Sequence, residues 1–125
     1  MAKVDLFLDM MFHTADQTHM WHLQTTSDPL HRTLNQYYDG IRCQLDRFAE
    51  ACMGYKGVRL NAKGRIPLVN FKDVNQVKAH LMQVCKFCND LYNEIATEKG
   101  AEHLLAIIDD IRELLAKTKY LLTLS

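Results

Sequence analysis

Apolar residues recur along this chain at alternating steps of four and three, and they do so in four separate stretches. The first, over residues 3–24, carries Val4, Leu8, Met11, Ala15, Thr18 and His22. The second, over residues 29–53, carries Leu30, Leu34, Tyr37, Ile41, Leu45, Phe48 and Cys52. The third, over 71–99, carries Val77, Leu81, Val84, Cys88, Leu91 and Ile95. The fourth, over 101–122, carries Leu104, Ile108, Ile111, Leu115, Thr118 and Leu122. A 4-3 alternation stays close to the turn of an α-helix, so each stretch gathers its apolar residues on one helical face. Such a stripe has to be buried against another element, and nothing in the chain alternates with the period of a strand. The expected fold is all-α: one domain over residues 1–125, an antiparallel four-helix bundle with a long connection between its second and third helices.

The punctuation supports these boundaries. Asp28 before Pro29 reads as an N-cap followed by a proline in the first helical position, and Gly54 as the stop of the second helix. Asn70 is the expected cap of the third helix, with Asp73 in the first turn suiting the helix dipole. Gly100 separates the third helix from the fourth. Gly40 falls inside the second helix, where glycine costs roughly 1 kcal/mol relative to alanine. A glycine there permits close approach of another backbone, and a second subunit is the expected neighbour.

A chain of 125 residues can bury an ordinary core without staples. Fifteen Lys and Arg balance 15 Asp and Glu, so no global charge draws it to nucleic acid or to an anionic membrane. The opening MAKVDLFLDMMF is interrupted by Asp5 and Asp9, which does not fit a signal peptide, and no apolar run approaches ~20 residues. A soluble cytoplasmic chain with reduced cysteines is expected. Cys85 and Cys88 have C-x-x-C spacing inside a helical pattern, with no second pair and no flanking βαβ pattern. Packing, not redox or metal chemistry, is their expected role.

Residues 55–71 form a long connection for a bundle, where ~2–8 residues is common. A small hairpin or a short extra helix around Asn61–Gly64 fits the local pattern. The segment carries Lys56, Arg59, Lys63 and Arg65 with no carboxylate between Tyr55 and Lys72. Those cations offer a contact for an anion, a nucleic acid or a protein partner, nucleic acid being the least expected of the three. The plain expectation is a solvated loop.

The second helix also carries ligand-type residues on one flank. His31 and Asn35 lie one turn apart, as do Asp46 and Glu50. The step from Asn35 to Asp46 is close to three full turns, so both pairs face the same way, about 16 Å apart along the axis. One chain does not readily bring them onto one ion. Two copies packed antiparallel about a two-fold axis do, setting His31 and Asn35 of one against Asp46 and Glu50 of the other. His22, at the end of the first helix, stands beside the start of the second and completes each site. Imidazole with carboxylate and amide oxygen suits iron, manganese or zinc. His80 and His103 have no carboxylate in register and are expected at the surface or an interface.

These residues carry a resemblance. Thr18-His19-Met20-Trp21-His22, then His31 and Asn35, then Asp46-Arg47-Phe48-Ala49-Glu50 with Gly54 following, are similar to the miniferritin (DNA-protection-during-starvation) branch of the ferritin-like superfamily. That branch has Thr-His-x-x-His-Trp, a histidine and an aspartate four apart, and then Asp-x-x-x-Glu. The similarity covers roughly residues 8–54. The segment Leu34-Asn35-Gln36-Tyr37-Tyr38-Asp39 also resembles small ferritin-like proteins encoded by tailed phages. The resemblance implies a ferritin-like bundle, a homo-oligomer built through the second helix, and an inter-subunit ferroxidase-like site of His22, His31, Asp46 and Glu50. Two departures stand out. Asn35 occupies the place of an aspartate, which removes one anionic donor per site, and the interval from His22 to His31 is shorter than in the miniferritins. The lysine-rich tail with which some miniferritins bind DNA has no match in this chain.

Two readings of function follow. In the first, the protein binds iron and oxidises iron(II) at a site shared between subunits. In the second, it is a non-enzymatic helical bundle, encoded by a phage, that binds a host or virion partner without metal in the host cytoplasm. The residues by themselves are compatible with both, so enzymatic activity is left open.

Overall fold

The computed structural model describes residues 2–125 and holds four helices: α1 (Ala2–Gln24), α2 (Asp28–Lys56), α3 (Val74–Ile95) and α4 (Glu102–Leu122). No strand forms among the described residues. The apolar stripes close on one another as the spacing requires. Every seam residue of α2, α3 and α4 named above is buried, and α1 adds Phe7, Met11, Ala15 and Trp21 to the same core. Among the described residues, no helix is long and apolar enough to cross a membrane.

Helix directions follow from which residues meet. Along α1 and α2, Phe7 meets Phe48, Thr14 meets Tyr37 and His22 stacks on His31, so the two run antiparallel. Between α2 and α4, Arg47 pairs with Asp110 and Tyr55 meets His103, again in opposite order. Phe7 and Leu91 line one crevice between α1 and α3, and Thr14 bonds His80, so this pair is antiparallel as well. Each helix therefore packs against two antiparallel neighbours, with α1/α4 and α2/α3 across the diagonals.

Helix ends differ from expectation at three places, each for a local reason. Ser27, not Asp28, caps α2: its side chain accepts from the Leu30 N–H, which moves Asp28 and Pro29 into the first turn. The helix passes through Gly54 and stops at Gly57, whose φ of 72° supplies the left-handed turn that lets its N–H reach the Met53 carbonyl. Asp73 caps α3 in place of Asn70. It accepts from the Gln76 N–H while the Gln76 side-chain Oε1 accepts from the Lys72 N–H, a reciprocal arrangement close to a capping box. Gly40 does permit a close approach, but by its own chain. A Cβ there would lie 2.8 Å from Leu114 Cδ2 of α4.

The connection between α2 and α3 forms neither the hairpin nor the short helix expected of it. It runs as an extended strap along α1, and α1 side chains take up its peptide groups one after another. Asp5 accepts from the Asn61 N–H, and Asp9 accepts from the N–H groups of Lys63 and Gly64. Gln17 then meets both polar atoms of Val69, donating to its carbonyl at 2.9 Å and accepting from its N–H at 2.8 Å. Trp21 donates to the same carbonyl, and Gln24 accepts from the Phe71 N–H. With its backbone satisfied this way, the strap has no need of a partner strand. It delivers the chain to the end of the bundle where α1 finishes, which is why α3 runs parallel to α2.

Gln17 is 1% exposed, so its amide is committed to the strap. In a Gln17→Leu variant the Val69 N–H loses its partner. The expected result is a loss of about 1–3 kcal/mol in urea unfolding and faster hydrogen exchange at the Val69 amide.

Candidate functional site

The turn between α1 and α2 brings His22 and His31 face to face. Their rings stack with centroids 3.7 Å apart and planes 17° from parallel. Each Nδ1 bonds the backbone carbonyl of the other residue, at 2.7 Å from His22 to His31 and 2.8 Å in return. A carbonyl can only accept, so both Nδ1 atoms carry hydrogen and in the neutral rings both Nε2 atoms keep their lone pairs. The His22 carbonyl lies in the last turn of α1, where carbonyls lack helical partners, so the His31 bond also closes the helix end.

Around this pair the polar residues are ordered by one another. Tyr38, 7% exposed, donates to Asn35 Oδ1 at 2.6 Å, and Asn35 Nδ2 donates to Asp39. His19 stacks on the Tyr38 ring at 4.2 Å, and the Tyr38 ring meets His22 edge-on. Burial raises the Tyr38 pKa, so the phenol keeps its proton and remains a donor. Asn35 thus has its amide oxygen occupied by a neighbour on its own helix.

Asp46 and Glu50 lie farther along α2, both exposed. Neither makes an ion pair among the described residues. Among the described residues there is also no cluster of three or more His, Cys, Asp or Glu side chains able to hold a metal ion. The structure therefore joins His22 to His31 and leaves Asp46 and Glu50 apart from them within one chain.

The basic segment is divided. Lys56 ends α2 and pairs with Glu98, which raises its pKa. Lys63 reaches Asp5 at 3.6 Å. Arg59 and Arg65 have no carboxylate within ion-pair distance among the described residues. Cys88 is buried and its thiol is pushed up to about 12, which keeps it protonated and inert.

One family model, described as a family of unknown function (DUF5856), matches residues 22–122. The chain belongs to this family. The DUF5856 match begins at His22 itself and takes in His31, Asn35, Asp46 and Glu50, together with α3 and α4. No curated protein and no solved structure matches the chain.

The DUF5856 match also includes His80, expected at the surface or an interface; it is half-buried and turned inward between helices. Its Nε2 bonds Thr14 Oγ1 at 2.7 Å, and the same hydroxyl bonds Tyr37 at 2.9 Å, giving a chain Tyr37–Thr14–His80 between three helices. The rings of His13 and Trp21 meet the His80 ring edge-on. His13 Nδ1 is buried without a hydrogen-bond partner. Burial, aided by His13, holds the His80 pKa down to about 4, and burial lowers that of His13 as well. His80 sits next to none of its helix's seam positions except Leu81, so periodicity alone hid it. Thr14 and Gln17, polar residues beside the seam of α1, were the available signal. His103, by contrast, is exposed against Tyr55, as expected.

The sign of the pH effect follows from the lowered value. As pH falls, the unfolded chain takes up the proton before folded His80 does, so its stabilisation is complete above about pH 6.5 and is lost towards pH 4. Urea unfolding at pH 7.5 and 4.5 is expected to show a loss of roughly 2 kcal/mol from this group. A His80→Phe variant should show a visibly flatter dependence.

Proposed function

We propose that this protein is a ferritin-like, metal-binding bundle that completes its site by pairing α2 with a second copy, and that it binds and oxidises iron(II). The observation that carries the reading is the His22–His31 pair. Two imidazoles held through Nδ1 by backbone carbonyls, with Nε2 lone pairs left over, are the arrangement a protein uses to orient metal-binding histidines. Asp46 and Glu50 are exposed, have no ion pair among the described residues and lie one turn apart on the same helix, which suits them to serve a partner copy. A bundle with one long crossover also has the connectivity of ferritin-like folds.

The donor set proposed for each site is His22 and His31 from one chain with Asp46 and Glu50 from the other. Asn35 was included in the expected set, but its oxygen already accepts from Tyr38, so its part is to hold Tyr38 against His19 and His22. Nitrogen and carboxylate donors together accept iron in both oxidation states, and manganese or zinc by the same chemistry. Iron(II) is here the substrate, oxidised by dioxygen or peroxide. The setting is the cytoplasm, that of a host cell for a phage-encoded chain. A second reading draws on the same bonds: the paired histidines brace the α1–α2 turn of a metal-free bundle that binds a protein partner.

Mass in solution with iron(II) titration separates the two. The first reading expects an even-numbered oligomer taking up about one iron per chain, since two-fold pairing makes two equal sites. A His31→Ala, Glu50→Ala double variant should lose uptake and ferric absorbance while keeping its helical circular dichroism. An iron-free monomer, or a double variant with unchanged uptake, would leave only the second reading.

A further inference from the structure

The strap is fastened to α1 from Gly64 to Asp9 on one side and from Val69 to Gln17 on the other, and between these anchors the Ile66 backbone bonds His13. Over the two intervening turns of α1 the strap and the helix flank an open cavity of about 400 Å³. Small-molecule sites commonly have volumes of about 300–1,000 Å³. Pro67 lies between the two anchors and limits the backbone freedom of the strap there.

The lining has an apolar part and a charged part. Phe12, Ile66 and Leu68 contribute apolar surface and are 50%, 40% and 45% exposed. Of the charged side chains, Asp9 already accepts two backbone N–H bonds and Asp16 is paired with Arg42 at 2.8 Å. His13 is uncharged at neutral pH because burial lowers its pKa. Arg65 alone among the charged lining side chains has neither a hydrogen bond nor an ion pair among the described residues. Arg65 is therefore the lining charge without a partner, beside an apolar wall, while Asp9 keeps its negative charge with only backbone N–H groups bonded to it.

We propose that this cavity binds a small organic acid, with its carboxylate on Arg65 and an apolar body against Phe12, Ile66 and Leu68. A guanidinium and a carboxylate make charge-assisted bonds that a neutral amide or an ammonium cannot reproduce. The site is separate from the histidine pair and does not depend on metal binding.

The test is a titration of the full chain with phenylacetate, phenylacetamide and phenethylamine, which share a body and differ in head-group charge. Backbone N–H signals of Gly64 and Ile66, and the indole N–H of Trp21, report on the strap by NMR. Trp21 is the chain's single tryptophan and is bonded to Val69. Phenylacetate is expected to bind with a dissociation constant of about 1 mM or tighter, and the other two at least about tenfold more weakly. Arg65→Ala should weaken phenylacetate about tenfold, and Arg65→Glu should reverse the preference towards phenethylamine. Because Arg65 is exposed, neither change should disturb folding. Ala62→Trp, which adds bulk to the lining, should weaken phenylacetate without changing the circular dichroism. The proposal is overturned if no probe shifts these signals at about 20 mM, if all three bind alike, or if Arg65→Ala binds as the wild type does.

Discussion

The peptide groups of the crossover have to find partners, and α1 supplies them. Asp5, Asp9, Gln17, Trp21 and Gln24 meet the strap at successive turns, so one helix acts as a template for a segment that has no structure of its own. That arrangement decides where α3 begins and in which direction it runs. With α3 parallel to α2, each helix gains two antiparallel neighbours, and the four apolar stripes can close on one core.

The cost of templating is a polar interior on α1. Asp5, Thr14, Gln17, Thr18 and His22 are all buried, whereas α3 and α4 bury almost nothing polar. Burying such groups is tolerable only when each is bonded, and nearly all are. The chemistry of the molecule gathers on this helix as a result. Its last turn holds one member of the histidine pair, its middle holds Thr14 against Tyr37 and His80, and its outer face forms one wall of the cavity beneath the strap.

The apolar periodicity made the bundle legible, and on α2, α3 and α4 each named seam residue is in the core. Helix ends were less so, because capping depends on single side-chain bonds that neighbours compete for. Ser27 lies one residue from Asp28, and Asp73 three from Asn70, and in each case geometry chose the other residue. The strap was illegible for a different reason: its partners are far away in the chain, and side-chain-to-backbone bonds leave no period. At the candidate site, adjacency of His22 and His31 could be read from their places on either side of a short turn. That their Nδ1 atoms exchange carbonyls, or that Tyr38 occupies Asn35, could not, since both depend on rotamers set by packing.

Gln17 holds the crossover by the main chain of Val69, not by its side chain, and Asp5 and Asp9 do likewise at Asn61, Lys63 and Gly64. Every residue except proline presents the same N–H and C=O at such positions. The bundle thus recognises the path of the strap without reading its text. Side chains between the anchors are free to diverge among related chains while the architecture stays put, so this is a stretch where new specificity can evolve, or be grafted, on an unchanged frame.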